Sequence, residues 1–340
     1  MDEIIINGGR ELKGEVTVSG AKNAALPVIA ASLLVEGACT FHNVPDLKDI
    51  ESIRELLVTM GAEAALQDNT FTVDTSRLSH FEAPYEQVRK MRASILVLGP
   101  LLARMKRARV SLPGGCAIGA RPIEQHLNGL ARLGADIELA HGYVEASAKK
   151  LKGTEIYLDL PTVTGTENLM MAAVTAEGQT MLRNVAREPE IISLAEVLNL
   201  MGADISGAGS SVITINGVDR LQPVTARIIP DRIETGTFMV AAALTGGDIL
   251  IHECEPAHLK ELMLKLEKTG AAIECQNRSI RVKGGPPINS VDVKSMPFPG
   301  FPTAMQAQFM VLMAVANGFS VISENVFENR FIHVSELRRM

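Results

Sequence analysis

The stretch from Ser111 to Arg121 reads Ser-Leu-Pro-Gly-Gly-Cys-Ala-Ile-Gly-Ala-Arg and gathers the residues best suited to chemistry. A β-type run, Arg109 to Leu112, ends at Pro113, and Gly114 and Gly115 then let the backbone turn with positive φ. Cys116 is thereby carried on a loop rather than packed in a core. Arg121 follows, and Pro122 stands where the next helix favours its first residue. A thiol beside a guanidinium and a helix N-terminus is in an electropositive setting, which lowers its pKa and attracts anions. The competing reading is a small buried hydrophobe, as most free cysteines are. The loop alone leaves both open.

The elements that must position this loop come from a repeat. A Gly-Ala pair closes an amphipathic helix at Gly61-Ala62, Gly134-Ala135, Gly202-Ala203 and Gly270-Ala271, about 70 residues apart each time. Each glycine sits where a helix C-cap needs the left-handed conformation. Upstream lie 3.6-residue stripes, such as Ile50, Ile53, Leu56, Leu57 and Met60, or Leu194, Val197, Leu198 and Met201. Downstream come alternating hairpins, for example Ile137 to Leu139 turning at His141-Gly142 into Tyr143 to Glu145, and Ile273 to Cys275 turning near Gln276-Asn277 into Ile280 to Val282. Alternation predicts sheets with one solvated face.

A second element recurs as nearly continuous apolar runs rich in Ala and Met: Ala24 to Leu34, Ala93 to Ala103, Asn168 to Ala176, Phe238 to Leu244 and Met305 to Ala316. A helix apolar on every side is buried on every side. Each unit therefore has a wholly buried helix, a half-buried helix and strands outside. The fifth unit supplies its buried helix and strand over residues 301–325 and an amphipathic helix over Phe327 to Arg339. It stops at Met340, where earlier copies continue into Gly-Ala, so the last repeat is expected to be cut short.

Composition narrows the function. The 340 residues are 46% hydrophobic, with no Trp and 4% aromatic, so the cores must be aliphatic, and the length suits two domains. A net charge of −6 argues against nucleic acid held by bulk electrostatics. The basic run Arg104 to Arg109 reads as a solvated face. Cys39, Cys116, Cys254 and Cys275 lie far apart with no metal-ligand spacing, which predicts a reducing compartment, no disulfide framework and no metal site. The acidic N-terminus lacks a signal-peptide pattern, and no apolar run is long enough to span a membrane. The expectation is a soluble cytoplasmic protein.

Several motifs in fixed order then resemble the bacterial UDP-N-acetylglucosamine 1-carboxyvinyltransferases, enolpyruvyl transferases of peptidoglycan synthesis. They are Ser19-Gly-Ala-Lys-Asn-Ala-Ala-Leu-Pro27, Met91-Arg-Ala-Ser94, the Cys116 loop, Ala186-Arg-Glu-Pro-Glu190, Pro230-Asp-Arg-Ile-Glu-Thr-Gly-Thr237 and Val326-Phe-Glu-Asn-Arg-Phe331. The resemblance covers the whole chain. It implies a two-domain inside-out α/β barrel: residues 22–229 as a first domain of three repeats, and residues 1–21 with 230–340 as a second of about two, its N-terminal strand crossing back. It implies transfer of the enolpyruvyl group of phosphoenolpyruvate to the 3-hydroxyl of UDP-N-acetylglucosamine with release of phosphate, and no cofactor or metal.

By the same resemblance Lys22, Arg92 and Arg121 hold the phosphate and carboxylate of phosphoenolpyruvate, with Asn23 beside them. Cys116 protonates the methylene carbon, and the sugar hydroxyl traps the resulting cation as a tetrahedral ketal. Arg121, Pro122, Ile123, Glu124 and Gln125 correspond to uridine-diphosphate contacts, extended by Val163, Thr164 and Gly165, although Pro161 stands where a Lys can occur. Ala304 and Val326 correspond to sugar-nucleotide contacts. Asp231 and Glu234 read equally as a capping box.

One departure concerns the chemistry directly. The family places an Asp as general base in Phe-Pro-Thr-Asp, and this chain has Phe301-Pro302-Thr303-Ala304. A methyl group cannot accept a proton, and losing general-base help costs about 10²–10⁴-fold in rate. The alternatives are therefore a catalytically impaired UDP-sugar-binding homologue or a 5-enolpyruvylshikimate-3-phosphate synthase-like enzyme, the latter opposed by the Cys116 loop. A purely structural solenoid accounts for neither that loop nor the cations at buried helices.

Overall fold

The computed structural model describes residues 5–112 and 123–340 and divides into two compact units, Gly20–Ile229 and the segment up to Ser19 with Pro230–Met340. Strand β1 (Lys13–Thr17) comes first. The first repeat runs α1 (Lys22–Ala31), β2 (Ala38–His42), α2 (Lys48–Thr59) and the hairpin β3 (Glu63–Gln67) and β4 (Thr70–Asp74). The second opens with β5 (Glu82–Ala83) and the short α3 (Tyr85–Val88). A 3-10 helix, Arg92–Val97, then runs into α4 (Leu98–Met105), followed by β6 (Arg107–Ser111), α5 (Glu124–Arg132), β7 (Asp136–Ala140) and β8 (Tyr143–Ser147).

The third repeat comprises β9 (Glu155–Tyr157), α6 (Val163–Ala173), β10 (Gln179–Arg183), α7 (Pro189–Leu200), β11 (Asp204–Ser206) and β12 (Val212–Asn216), and β13 (Thr225–Arg227) ends the unit. In the other unit α8 (Arg232–Thr245), β14 (Asp248–His252), α9 (Lys260–Thr269), β15 (Ala272–Gln276) and β16 (Ser279–Lys283) follow the same order. Last come β17 (Val293–Lys294), α10 (Gln306–Ala314), β18 (Ile322–Ser323) and α11 (Val334–Arg339).

Helix α1 shows why the repeat closes on itself. Every residue from Ala24 to Ala31 is buried, so no side of the helix can face water. Helix α2 covers it with Ile50, Ile53, Leu56 and Leu57 and keeps an outer ion pair of Glu51 and Arg54. Helices α4 and α6 are enclosed in the same way within one aliphatic core. The four Gly-Ala glycines have φ of 100°, 95°, 102° and 103°, so the helix ends are left-handed as their spacing predicts.

Each four-stranded sheet has one plan: β13-β2-β4-β3, β5-β6-β8-β7, β9-β10-β12-β11 and β1-β14-β16-β15. The strand after the buried helix lies between the hairpin and a parallel edge strand. In two sheets that edge belongs to the same repeat as the buried helix that follows it, giving the local units β5-α4-β6, with α3 and the 3-10 helix between β5 and α4, and β9-α6-β10. In the other two the edges are exchanged: β1 pairs with β14, and β13 with β2.

Three expectations are corrected. The runs Phe238 to Leu244 and Met305 to Ala316 are not buried on every side: Phe238, Ala241 and Leu244 are half-buried and Val315 is exposed. Arg104 is no part of a solvated face; its half-buried guanidinium donates to the carbonyls of Leu33, Val35 and Thr75, closing the end of the first repeat. The helix expected over Phe327 to Arg339 forms only from Val334, and none of its residues is buried, so no core contact rewards the earlier turns.

Two glycines with different physical roles give a test. At Gly202 (φ 102°) an added Cβ meets open space, so Gly202→Ala carries only the left-handed penalty, about 1–2 kcal/mol. At Gly99 it would lie 2.3 Å from the Asn168 carbonyl oxygen, which forces α4 and α6 apart. Denaturant unfolding should show Gly99→Ala losing more stability than Gly202→Ala; the reverse order would contradict the close approach of the two helices.

Candidate active site

The candidate cations stand at helix starts. Lys22 opens α1, whose N-cap Ala21 offers no side chain to the free N–H groups and whose first turn has no acidic residue. Its ammonium is 2.8 Å from Asp49 Oδ2 in the first turn of α2, and exposed Asn23 follows it. An ammonium has three donors, so this pairing leaves capacity for a second anion. Arg92 is half-buried and opens the 3-10 helix against which α1 packs; that start also lacks a side-chain cap and an acidic first turn. Both N-termini are electropositive twice over, from the backbone and from the side chain.

Around the N-termini of α5 and α6 the second and third repeats are tied by a buried polar cluster. His126, 2% exposed, has Nε2 3.3 Å from Thr164 Oγ1 and Nδ1 3.1 Å from Asn168 Nδ2. Asn168 Nδ2 also donates to the Ile95 carbonyl at 2.9 Å, and Asn168 Oδ1 accepts from the Gly99 N–H at 2.6 Å. Burial first, and the Arg92 charge second, push the His126 pKa down to about 4. Thr164, the α5 start and the Arg92 helix are thus fixed to one another through two side chains.

The sequence-predicted contacts lie along this seam. Ile123 is the N-cap of α5 and exposed Glu124 its first residue. Gln125 Oε1 accepts from the Leu160 N–H at 3.3 Å, which joins the α5 start to the segment leading into α6. There the Thr162 hydroxyl caps the helix by accepting from the Gly165 N–H at 3.3 Å, with Val163 and Thr164 half-buried in the first turn. Cys116, Arg121 and Pro122 lie outside the described residues.

In the other unit, Glu324 joins the two remaining candidates. Thr303, beside half-buried Ala304, donates through Oγ1 to Glu324 Oε2 at 2.9 Å. Glu324 Oε1 accepts from the N–H groups of Val326 at 2.7 Å and Phe327 at 3.2 Å. Asp231 caps α8, accepting from Ile233 N at 2.7 Å and Glu234 N at 3.1 Å. Glu234 reaches Ser19 N at 2.9 Å instead of the cap residue, so the box is half formed.

Sequence reasoning passed over His126, Glu167 and Asn168. The signal was present: polar side chains inside an otherwise apolar helix must find partners or stay neutral. Glu167 of α6 is 1% exposed, and its Oε1 has no partner among the described residues. Burial, reinforced by Glu190 and Glu188, holds its carboxyl well above the usual range. Cys39 and Cys254 are buried and Cys275 is exposed; burial raises all three thiols, Cys254 to about 11. Among the described residues no cluster of His, Cys, Asp or Glu suits a metal, and no helix is long and apolar enough to cross a membrane.

Repeated helices inside, sheets outside and cations at the buried helix starts define an enolpyruvyl transferase fold. A family model described as EPSP synthase (3-phosphoshikimate 1-carboxyvinyltransferase) matches residues 6–340. The enolpyruvyl transferase NikO from Streptomyces tendae superposes with a TM-score of 0.87 at 26% identity, over 98% of this chain and 80% of that one. An EPSP synthase from Acinetobacter baumannii has a TM-score of 0.72 at 21% identity, over 94% of this chain and 75% of its own, and shares the fold alone. The UDP-N-acetylglucosamine 1-carboxyvinyltransferase of Desulfatibacillum aliphaticivorans is 65% identical over 340 residues, all of this chain and 82% of that protein. The one from Geobacter metallireducens is 58% identical over 339 residues, 81% of that protein. The chain belongs to the UDP-N-acetylglucosamine 1-carboxyvinyltransferase family.

The two buried groups titrate with opposite consequences. His126 folds with its pKa depressed from 6.5 to about 4, so its contribution is full above 6.5 and is lost as pH falls through about 4. The loss amounts to about 3 kcal/mol. Glu167 folds with its pKa raised above 4.5, so its contribution is full below 4.5 and is lost as pH rises through the raised value. Denaturant unfolding across pH should show His126→Gln flattening the acid-side fall. Glu167→Gln should gain relative to the native chain as pH rises. A pH-independent difference for either variant would refute the assignment.

Proposed function

We propose that this chain transfers the enolpyruvyl group of phosphoenolpyruvate to the 3-hydroxyl of UDP-N-acetylglucosamine, releasing phosphate, as a cytoplasmic step of peptidoglycan synthesis. The observation that carries the reading is 65% identity across the whole chain to a relative of that name. The substrate chemistry agrees: phosphoenolpyruvate bears two anionic groups within a few ångströms, and Lys22 and Arg92 open mutually packed helices that lack acidic first turns.

Lys22, Asn23, Arg92 and Arg121 bind and orient phosphoenolpyruvate in this scheme. Cys116 gives a proton to its methylene carbon, and the cationic C2 is trapped by the sugar oxygen, forming the new C–O bond as the hydroxyl loses its proton. Departure of phosphate with a proton from the new methyl group restores the enol. Ile123, Glu124 and Gln125 with Val163, Thr164 and Gly165 take the nucleotide, and Ala304 and Val326 the sugar side.

Ala304 favours a second reading in which binding persists and turnover is slow, because no proton acceptor stands at that position. Phosphate release should require both substrates and rise about tenfold or more in Ala304→Asp, within the range general-base help supplies. Calorimetry should show binding of UDP-N-acetylglucosamine and none of shikimate 3-phosphate; the opposite preference would overturn the reading. An epoxide phosphonate that mimics phosphoenolpyruvate should label Cys116 in preference to Cys39, Cys254 and Cys275, whose thiols burial raises. Mass mapping with equal labelling of all four would remove Cys116 from its role.

A further inference from the structure

We propose that His126 is a positioning residue for nucleotide-sugar binding: as the neutral Nε2–H tautomer it locks the start of α5 onto Thr164 of α6 and, through Asn168, onto the helix that Arg92 opens. The hydrogen-bond geometry determines the tautomer. Asn168 Oδ1 accepts from the Gly99 N–H, which fixes the amide orientation, because reversing it would set two donors against each other. Asn168 Nδ2 then has two hydrogens, one given to the Ile95 carbonyl and the other directed at His126 Nδ1. Nδ1 must therefore be an unprotonated acceptor. The one ring proton sits on Nε2, facing Thr164 Oγ1.

The consequence is local. His126 follows Gln125 directly, and Thr164 lies between Val163 and Gly165, so the ring spans the two segments proposed to take the nucleotide. Gln125 to Leu160 provides a second tie at the exposed rim, whereas the imidazole of the first is buried. An imidazolium here would bring a proton against the Asn168 amide and a positive charge toward Arg92, and both oppose it. The ring touches no substrate in this scheme; it holds the groups that do.

The role rests on the function proposed above, and the test separates the two. Nitrogen-15 NMR of the imidazoles at pH 7 should show His126 with Nδ1 bare and Nε2 protonated; a cationic ring or an Nδ1–H tautomer would overturn the inference. His126→Gln keeps a donor toward Thr164 and should bind UDP-N-acetylglucosamine within about threefold of the native chain. His126→Phe fills the space without the bonds and should weaken binding about tenfold or more. The same loss should appear in KM for the nucleotide sugar, with kcat and KM for phosphoenolpyruvate changing less than about threefold. Thr164→Val should mimic it, and the double variant should add nothing further.

If His126→Phe does not fold, Thr164→Val and His126→Gln decide the matter. Native-like binding in Thr164→Val, or equal losses for both substrates, would assign His126 to packing alone. Failure of the native chain to bind UDP-N-acetylglucosamine would defeat the proposed function and this role with it. Binding by the native chain with unchanged variants would defeat only the role.

Discussion

Helices with no polar side dictate the rest of this structure. Ala24 to Ala31 of α1 are buried all round, and so are Leu169 to Ala173 of α6, so each needs cover in every direction. One amphipathic helix and one sheet per repeat cannot supply that cover alone. Within the three-repeat unit the buried helices therefore also pack on one another, α1 against the Arg92 helix and α4 against α6. Fully burying one such aliphatic side chain contributes about 1.5–3 kcal/mol, which outweighs the weak helix preference of the β-branched residues among them. The same enclosure requires a polar group on a buried helix to find a partner or stay neutral, as Asn168 and Glu167 do, and leaves the cations Lys22 and Arg92 at helix starts.

The repeat was legible because two of its signals are strictly local. A C-cap glycine needs positive φ, and Gly61, Gly134, Gly202 and Gly270 all have it. A wholly apolar run asks for burial on every side, which the runs of α1, α4 and α6 reach, whereas Phe238, Ala241, Leu244 and Val315 of the other unit keep some exposure. The edge strands were not legible. β5 has two residues, and β9 and β13 three each, too short for an alternating pattern to register. Their partners are set by topology, which explains how β1 pairs with β14, more than half the chain away.

Candidate residues were legible through the loop chemistry and family motifs, but the groups that hold them were not. His126 in α5 reads as one polar residue in an amphipathic helix, and Asn168 as the start of an apolar run. Their meaning comes from a contact across 42 residues and from an N–H of Gly99 on a third helix. A buried polar group is costly unless satisfied, and Asn168 uses both amide hydrogens and its oxygen. Such saturation is visible only when the three helices are packed.

Helix starts at equivalent points of the repeats differ in how they are capped. Thr162 caps α6 and Asp231 caps α8, the arrangement that contributes about 0.5–2 kcal/mol at a helix N-terminus. At the same point in their own repeats, Ala21 and Met91 offer no cap, and a cation follows each where an acid would stabilise the helix dipole. Nothing in the packing of α1 demands Lys22: its side chain is 38% exposed and meets Asp49 from the neighbouring helix. A surface pair of that kind contributes about 0–1 kcal/mol and does not compensate for a missing cap. The fifth repeat also starts α10 without a side-chain cap but has no cation there, so the added charge is what sets the starts at Lys22 and Arg92 apart from the capped ones at Thr162 and Asp231 and from this one.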